Sequence, residues 1–204
     1  MSYKQTEFSQ KVDQYLQTLQ TSFNPEIITK VEQLSNLLLE AWVQGKQVFI
    51  CGNGGSAANA LHIANDLHYG IGACGPPPKL PGLRVEALPA NSGILTCLAN
   101  DTGYDNIYAH QLEVKSQPGD ILIALSGSGN SPNIVKALKM AKKLSLKSVA
   151  ILAFSGGQSM KIADTTIHFP VNDMQIAEDT QLIVGHLCMQ WLNSHKPNEL
   201  RPLN

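Results

Sequence analysis

Five short, mostly apolar runs, QVFIC (47–51), LRVEAL (83–88), DILIAL (120–125), KSVAIL (147–152) and TTIHF (165–169), alternate with longer segments of helical period. A run without a polar face makes a strand that must be covered on both sides, which is the habit of parallel sheets. The segments between them supply the cover: about Ala57 to Leu67, SGILTCLAN (92–100), NIYAHQLEV (106–114), PNIVKALKMAKKL (132–144), SMKIAD (159–164) and IAEDTQLIVGHLCMQWL (176–192). YGIGACGPPPKLPG (69–82) is too rich in Gly and Pro to be anything but a loop. The pattern predicts an α/β fold with a five-stranded parallel sheet.

Two helices precede it. EFSQKVDQYLQTL places Phe8, Val12, Tyr15, Leu16 and Leu19 on one stripe. The second has Asn24 as its cap, Pro25 at its first position and Gly45 just past its end. Its stripe of Ile27, Val31, Leu34, Leu38 and Trp42 is widened by Ile28 and Leu39, which suits the domain's own sheet or a subunit interface. The 204 residues fit one domain, with helices over 1–45, an α/β core over 46–194 and a mobile tail over 195–204.

Several function classes are disfavoured. A net charge of −1 with scattered Lys gives no footprint for a nucleic-acid backbone. No apolar run approaches the ~20 residues of a membrane span, and the polar start MSYKQTEFSQ has no signal-peptide core. Cys51, Cys74, Cys97 and Cys188 form no C-x-x-C pair, and three have apolar neighbours expected to bury them. These features predict a reduced, cytoplasmic protein.

Two strand-to-helix junctions carry the chemistry: FICGNGGSAANALHIANDL (49–67) and ILIALSGSGNSPNIVKAL (121–138). The first N–H groups of a helix lack internal partners and attract an anion; Gly admits close approach, and Ser and Asn add neutral donors. The first turn offers Asn53 and Ser56, the second Ser126, Ser128, Asn130 and Ser131. Neither has the Lys-Ser/Thr of a Walker loop or a good G-x-G-x-x-G, so a nucleotide is disfavoured. Two such turns at strand carboxyl ends point to a small phosphorylated ligand.

Past the first turn, His62 and Asp66 are four apart on one helical face. That spacing suits two ligands of one Zn²⁺ and equally a surface His–Asp pair. Glu178 and His186 interrupt the apolar pattern of the last helix. A first-turn acid and a satisfied core histidine account for them as well as catalysis does.

CGNGGSAANALHIANDL together with LSGSGNSPNIVKAL resembles the sugar isomerase (SIS) domain, and within it the phosphoheptose isomerase family. The likeness extends to CLANDTGYDN and VGHLCMQWL. It implies a single SIS domain, a flavodoxin-like three-layer sandwich with two N-terminal helices. It also implies isomerisation of sedoheptulose 7-phosphate to D-glycero-D-manno-heptose 7-phosphate, for cell-surface polysaccharide, in a homotetramer. Carried over, Ser56, Ser126, Ser128 and Ser131 hold the phosphate, and Asn53 and Asp101 contact the sugar hydroxyls. His62, Asp66, Glu178 and His186 bind Zn²⁺, with Asp66, Glu178 and His186 moving protons. Four features depart from the family: Asp66 stands where it has Glu, Glu178 where it has Gln, LHYGIG where an Arg is usual, and Gly127 where a Ser or Thr is usual. The shorter acid withdraws the carboxylate by roughly 1.5 Å. The alternative reading is a non-catalytic SIS phosphosugar sensor or adaptor, for example one that associates with the replication initiator.

Overall fold

A computed structural model describes residues 6–74 and 77–201. The five runs form one parallel sheet: β1 (Gln47–Cys51), β2 (Arg84–Ala87), β3 (Ile121–Ser126), β4 (Lys147–Leu152) and β5 (Thr165–His168). Their order is β2-β1-β3-β4-β5, the flavodoxin-like order, with Cys51 of β1 beside Ala124 of β3.

The helices are α1 (Glu7–Ser22), α2 (Pro25–Gln44), α3 (Gly55–Asn65), α4 (Ser92–Thr102), α5 (Ala109–Lys115), α6 (Pro132–Lys143), α7 (Ser159–Ile162) and α8 (Met174–Ser194). Alternate strand residues feed two cores. Val48, Ile50, Ile121 and Ile123 pack with α2, α3 and α8. Phe49, Cys51, Leu122 and Ala124 pack with α6 and the Tyr108–Leu112 segment. The sheet is therefore the middle of three layers. The chain leaving β1 crosses to one face and the chain leaving β3 to the other. That opens a crevice at their carboxyl ends, where sheets of this kind take ligands.

The second helix starts and stops where the sequence places it. Asn24 accepts from the Ile27 N–H at 3.0 Å, Pro25 opens the helix, and Gly45 closes it at φ +64°. The stripe on α1 is another matter, because α8 touches this helix yet most of the stripe stays uncovered among the described residues. Phe8 is 76% exposed and Leu16 56%, and α1 buries only Ser22. Its Tyr15 hydroxyl donates to Asp179 of α8 at 2.5 Å. On α2, Ile28 is exposed, while Leu39 packs against the core.

Three other expectations change. Only Cys51 and Cys188 are buried, because Cys97 lies on the open face of α4 and Cys74 in the loop. The tail is docked as far as Arg201 is described: Leu200 packs on the core, and the Lys196 ammonium donates to the carbonyls of Gly72 and Pro78. The helix after the first turn runs on past Leu67 as a π-turn over Asp66–Gly70, with the Ile71 N–H donating to the Asp66 carbonyl at 3.2 Å.

Candidate functional site

The first turn bends at Gly54, whose φ of +56° and ψ of −123° exclude a side chain. The cap of α3 thus has no side-chain acceptor, which leaves the Gly55 and Ser56 N–H groups to a ligand, while those of Ala57 and Ala58 donate to the Gly54 carbonyl. The buried Tyr108 hydroxyl donates to the Gly52 carbonyl and anchors the turn from below. Burial raises the Tyr108 hydroxyl's pKa above its ordinary value, so it stays a donor.

The second turn is tied by its own serines. Ser126 Oγ accepts from the Gly129 N–H at 3.0 Å and Ser128 Oγ from the Asn130 N–H at 3.3 Å. Ser131 caps α6 by backbone alone, so its hydroxyl is not engaged as a cap. Asn53, Ser56, Ser126, Ser128, Ser131 and Glu178 converge on one cavity of about 280 Å³. Its donors are neutral hydroxyls, amides and helix N–H groups, the chemistry of an anion cradle without a cationic side chain, and the Glu178 carboxylate stands at its edge.

Behind this cavity α3 and α8 run side by side in the same direction. Near their starts, Asn59 Nδ2 donates to the Glu178 carbonyl (2.9 Å) and to Gln181 Oε1 (3.2 Å). Further along, Gly185 lets Ile63 close on the α8 backbone, since a Cβ there would fall 2.5 Å from Ile63 Cγ1. Beside this contact, His62 Nε2 and His186 Nε2 stand 3.0 Å apart. Asp66 Oδ2 lies 3.5 Å from the first and 3.6 Å from the second.

This triangle suits a metal ion. Two nitrogens each ~2.0–2.1 Å from a tetrahedral zinc stand ~3.3 Å apart, close to all three separations. Two imidazoles and a carboxylate form a three-ligand set that leaves a fourth position open, as catalytic zinc sites do. Among the described residues, His62, Asp66 and His186 are the one group so arranged.

Two candidates fall elsewhere. Glu178 is not in the triangle: a Cβ on Gly55 would meet its carboxylate at 2.3 Å, so the carboxylate overlies the first residue of α3, in the cavity with the serines. The physical reason is helical rise, since eight residues separate Glu178 from His186, ~12 Å along the axis. Asp101 is exposed at the end of α4, where it accepts from Asn100 Nδ2 at 2.7 Å, and it does not line the cavity. Three residues with structural parts in the site escaped the sequence reading: Tyr104, Tyr108 and Asn133. The Tyr104 hydroxyl and the Asn133 amide both bond Asn53. Asn133 directly follows Pro132 in the first turn of a helix, where an Asn with a tertiary partner is a signal worth reading.

Residues 7–153 match the SIS domain family. The chain is 38% identical to the phosphoheptose isomerase of Sulfurimonas denitrificans over 166 residues, 80% of this chain and 82% of that one. It is 38% identical to the phosphoheptose isomerase of Mycobacterium tuberculosis over 160 residues, 78% and 79% of the two chains. The solved structure of phosphoheptose isomerase from Neisseria gonorrhoeae superposes with a TM-score of 0.83 at 23% identity, covering 92% of this chain and 97% of that one.

Proposed function

This chain belongs to the SIS domain family and, within it, to the phosphoheptose isomerases, and from that premise we propose that it interconverts sedoheptulose 7-phosphate and D-glycero-D-manno-heptose 7-phosphate. One observation carries the reading: the anion cradle takes Ser56 and Glu178 from the starts of α3 and α8, the same two helices that carry the His62–Asp66–His186 triangle further along. His62 lies seven positions beyond Gly55 along α3, ~10 Å of rise. A chain of six C–C bonds of ~1.5 Å, plus its phosphate ester, spans a similar length. A phosphate at the serines therefore places the carbonyl end of a seven-carbon sugar at the triangle.

The reaction is redox-neutral within the substrate. A proton leaves C1 of the ketose, an enediolate forms across C1 and C2, and a proton arrives at C2 as the hydroxyl proton passes from O1 to O2. Asp66 and His186 are the groups at the carbonyl end available to take and return these protons, each such transfer worth roughly 100- to 10,000-fold, whereas Glu178, expected to share that work, lies at the phosphate end. Ser56, Ser126, Ser128 and Ser131 hold the phosphate and so convert the encounter into a positioned one. Asn53 orients the sugar, and Asp101 reaches it only from another chain. His62, Asp66 and His186 would hold Zn²⁺, which when bound polarises the carbonyl oxygen and stabilises negative charge on it.

The protein acts as a cytoplasmic homotetramer. The support is the uncovered stripe of α1 and the fact that α4, which carries Asp101, buries no residue in the single chain. No described helix is long and apolar enough to cross a membrane. The test is deuterium exchange: the protein is incubated in D₂O with sedoheptulose 7-phosphate, with and without Zn²⁺, and the sugar mass and aldose product are followed. Label uptake that disappears in His186→Ala is the expected result. Tight sugar-phosphate binding with no exchange would leave the sensor or adaptor reading in its place.

A further inference from the structure

The two glycine-rich turns are joined to each other by one pair of side chains. Asn53 Nδ2 donates to Asn133 Oδ1 at 2.9 Å, and Asn133 Nδ2 donates to Asn53 Oδ1 at 2.8 Å. Such a reciprocal amide pair could be formed equally well with both amides turned over, so its orientation has to be fixed from outside.

A backbone group fixes it. The Ile134 N–H, in the first turn of α6, donates to Asn133 Oδ1 at 3.0 Å, and an N–H can meet only an acceptor there. Asn133 Nδ2 must then face Asn53, whose facing atom is in turn Oδ1. That oxygen also accepts from the Tyr104 hydroxyl at 3.1 Å. Both its lone pairs are used, and one of the two Nδ2 hydrogens is used as well. What Asn53 has left, on the wall of the cavity, is a single N–H.

We infer that Asn133 is a positioning residue that fixes Asn53 as a hydrogen-bond donor, unable to accept, toward an acceptor oxygen of the bound ligand. That the ligand is a sugar phosphate rests on the function proposed above; the fixed donor does not. Asn133 is 1% exposed, so water offers its amide no alternative partner and the arrangement persists without a ligand. The site is thereby preorganised for a ligand oxygen, and a ligand that must donate at this point is refused.

Asn133→Asp is the decisive variant. It keeps the shape, removes the Nδ2 donor and sets a carboxylate oxygen against Asn53 Oδ1, so one of the two bonds of the pair is lost whichever way the Asn53 amide turns and Asn53 is no longer fixed as a donor. An acid at the second residue of a helix is favoured by the dipole, so folding is retained. KM for sedoheptulose 7-phosphate should rise about tenfold, the worth of one hydrogen bond to a charged or buried partner, with kcat little changed. In an Asn53→Ala background the same substitution should leave KM unmoved, because Asn133 acts only through Asn53. Side-chain amide NMR of the ligand-free protein should show a slowly exchanging Asn53 NH₂ that becomes fast in Asn133→Asp.

Two results would overturn the inference: a fast-exchanging Asn53 amide in the wild type, or a tenfold KM rise that persists without Asn53. A wild type that ignores the sugar phosphate yet shows the slow amide would sink the isomerase reading alone. The Asn133→Asp comparison, repeated with inorganic phosphate as the probe, then decides the donor.

Discussion

Gly185 is where the spacing of the metal triangle is set, and Gly185→Ala tests that directly. The added Cβ would lie 2.5 Å from Ile63 Cγ1 and 2.9 Å from Cδ1. Carbon atoms rest at ~3.5–4.0 Å, so α3 and α8 must part by roughly 1 Å. Overpacking of this kind costs about 1–3 kcal/mol. For a chain of this size that lowers the melting temperature by roughly 2–10 °C. His62 and His186 are the immediate chain neighbours of Ile63 and Gly185, so their 3.0 Å separation opens by a similar amount. A misplacement of that size can cost ~100-fold in rate. Urea unfolding, zinc content and isomerase kcat/KM, measured on one preparation, separate the two effects. Ile63→Ala added to Gly185→Ala should restore zinc and activity by making room, while stability falls further for the ~2–5 kcal/mol of lost Ile63 packing. A Gly185→Ala protein with wild-type stability, zinc and rate would refute the argument that this contact fixes the triangle.

Other perturbations read single parts of the site. Asp66→Asn removes the carboxylate corner of the triangle; Zn²⁺ at a hundredfold excess over Kd should stabilise the wild type by about 2.7 kcal/mol and this variant hardly at all, as read by thermal unfolding. Ser131→Ala should raise KM for the sugar phosphate about tenfold while leaving the melting temperature unchanged, since its hydroxyl makes no cap bond to α6; a clear loss of stability would show the hydroxyl to be structural. Burial pushes the thiol of Cys51 up to about 12 and that of Cys188 up to about 11. A disulfide reagent at neutral pH should therefore modify Cys74 and Cys97 in the native protein and reach the other two only after unfolding; rapid reaction of all four would contradict the packing of both cores.

The sheet was legible because its signal is local. Each strand is a short apolar run, and each helix between them carries its own period, so the five-stranded parallel sheet and both flanking layers follow from patterning. The two turns were legible for the same reason, since Gly54 and Ser126 announce their backbone and donor chemistry within a few residues. The stripe on α1 was legible as a stripe but not in its partner, because periodicity says that a face is apolar and not what covers it. Cys97 misled for a related reason: its apolar neighbours Leu95 and Leu98 are only half-buried on a helix whose other side is open.

The interactions between elements were out of reach, and they are what gives the site its specificity. Nothing in the spacing of Asn53 and Asn133 announces that they pair across 80 positions. Glu178 shows the limit most plainly. A shorter acid at 66 together with an acid in place of an amide at 178 suggests that the longer acid has taken over the work of the shorter one on the facing helix. The parallel course of α3 and α8 separates them instead, because each helix carries its residues the same distance from the cavity. Asp66 travels with His62 to the triangle, and Glu178 stays with Gly55 at the cradle. The close approach at Gly185 lets the shorter acid keep both imidazoles within 3.6 Å. The two carboxylates therefore stand at different ends of the site, and substitutions at 66 and 178 should act additively on kcat/KM, as groups that share no partner do.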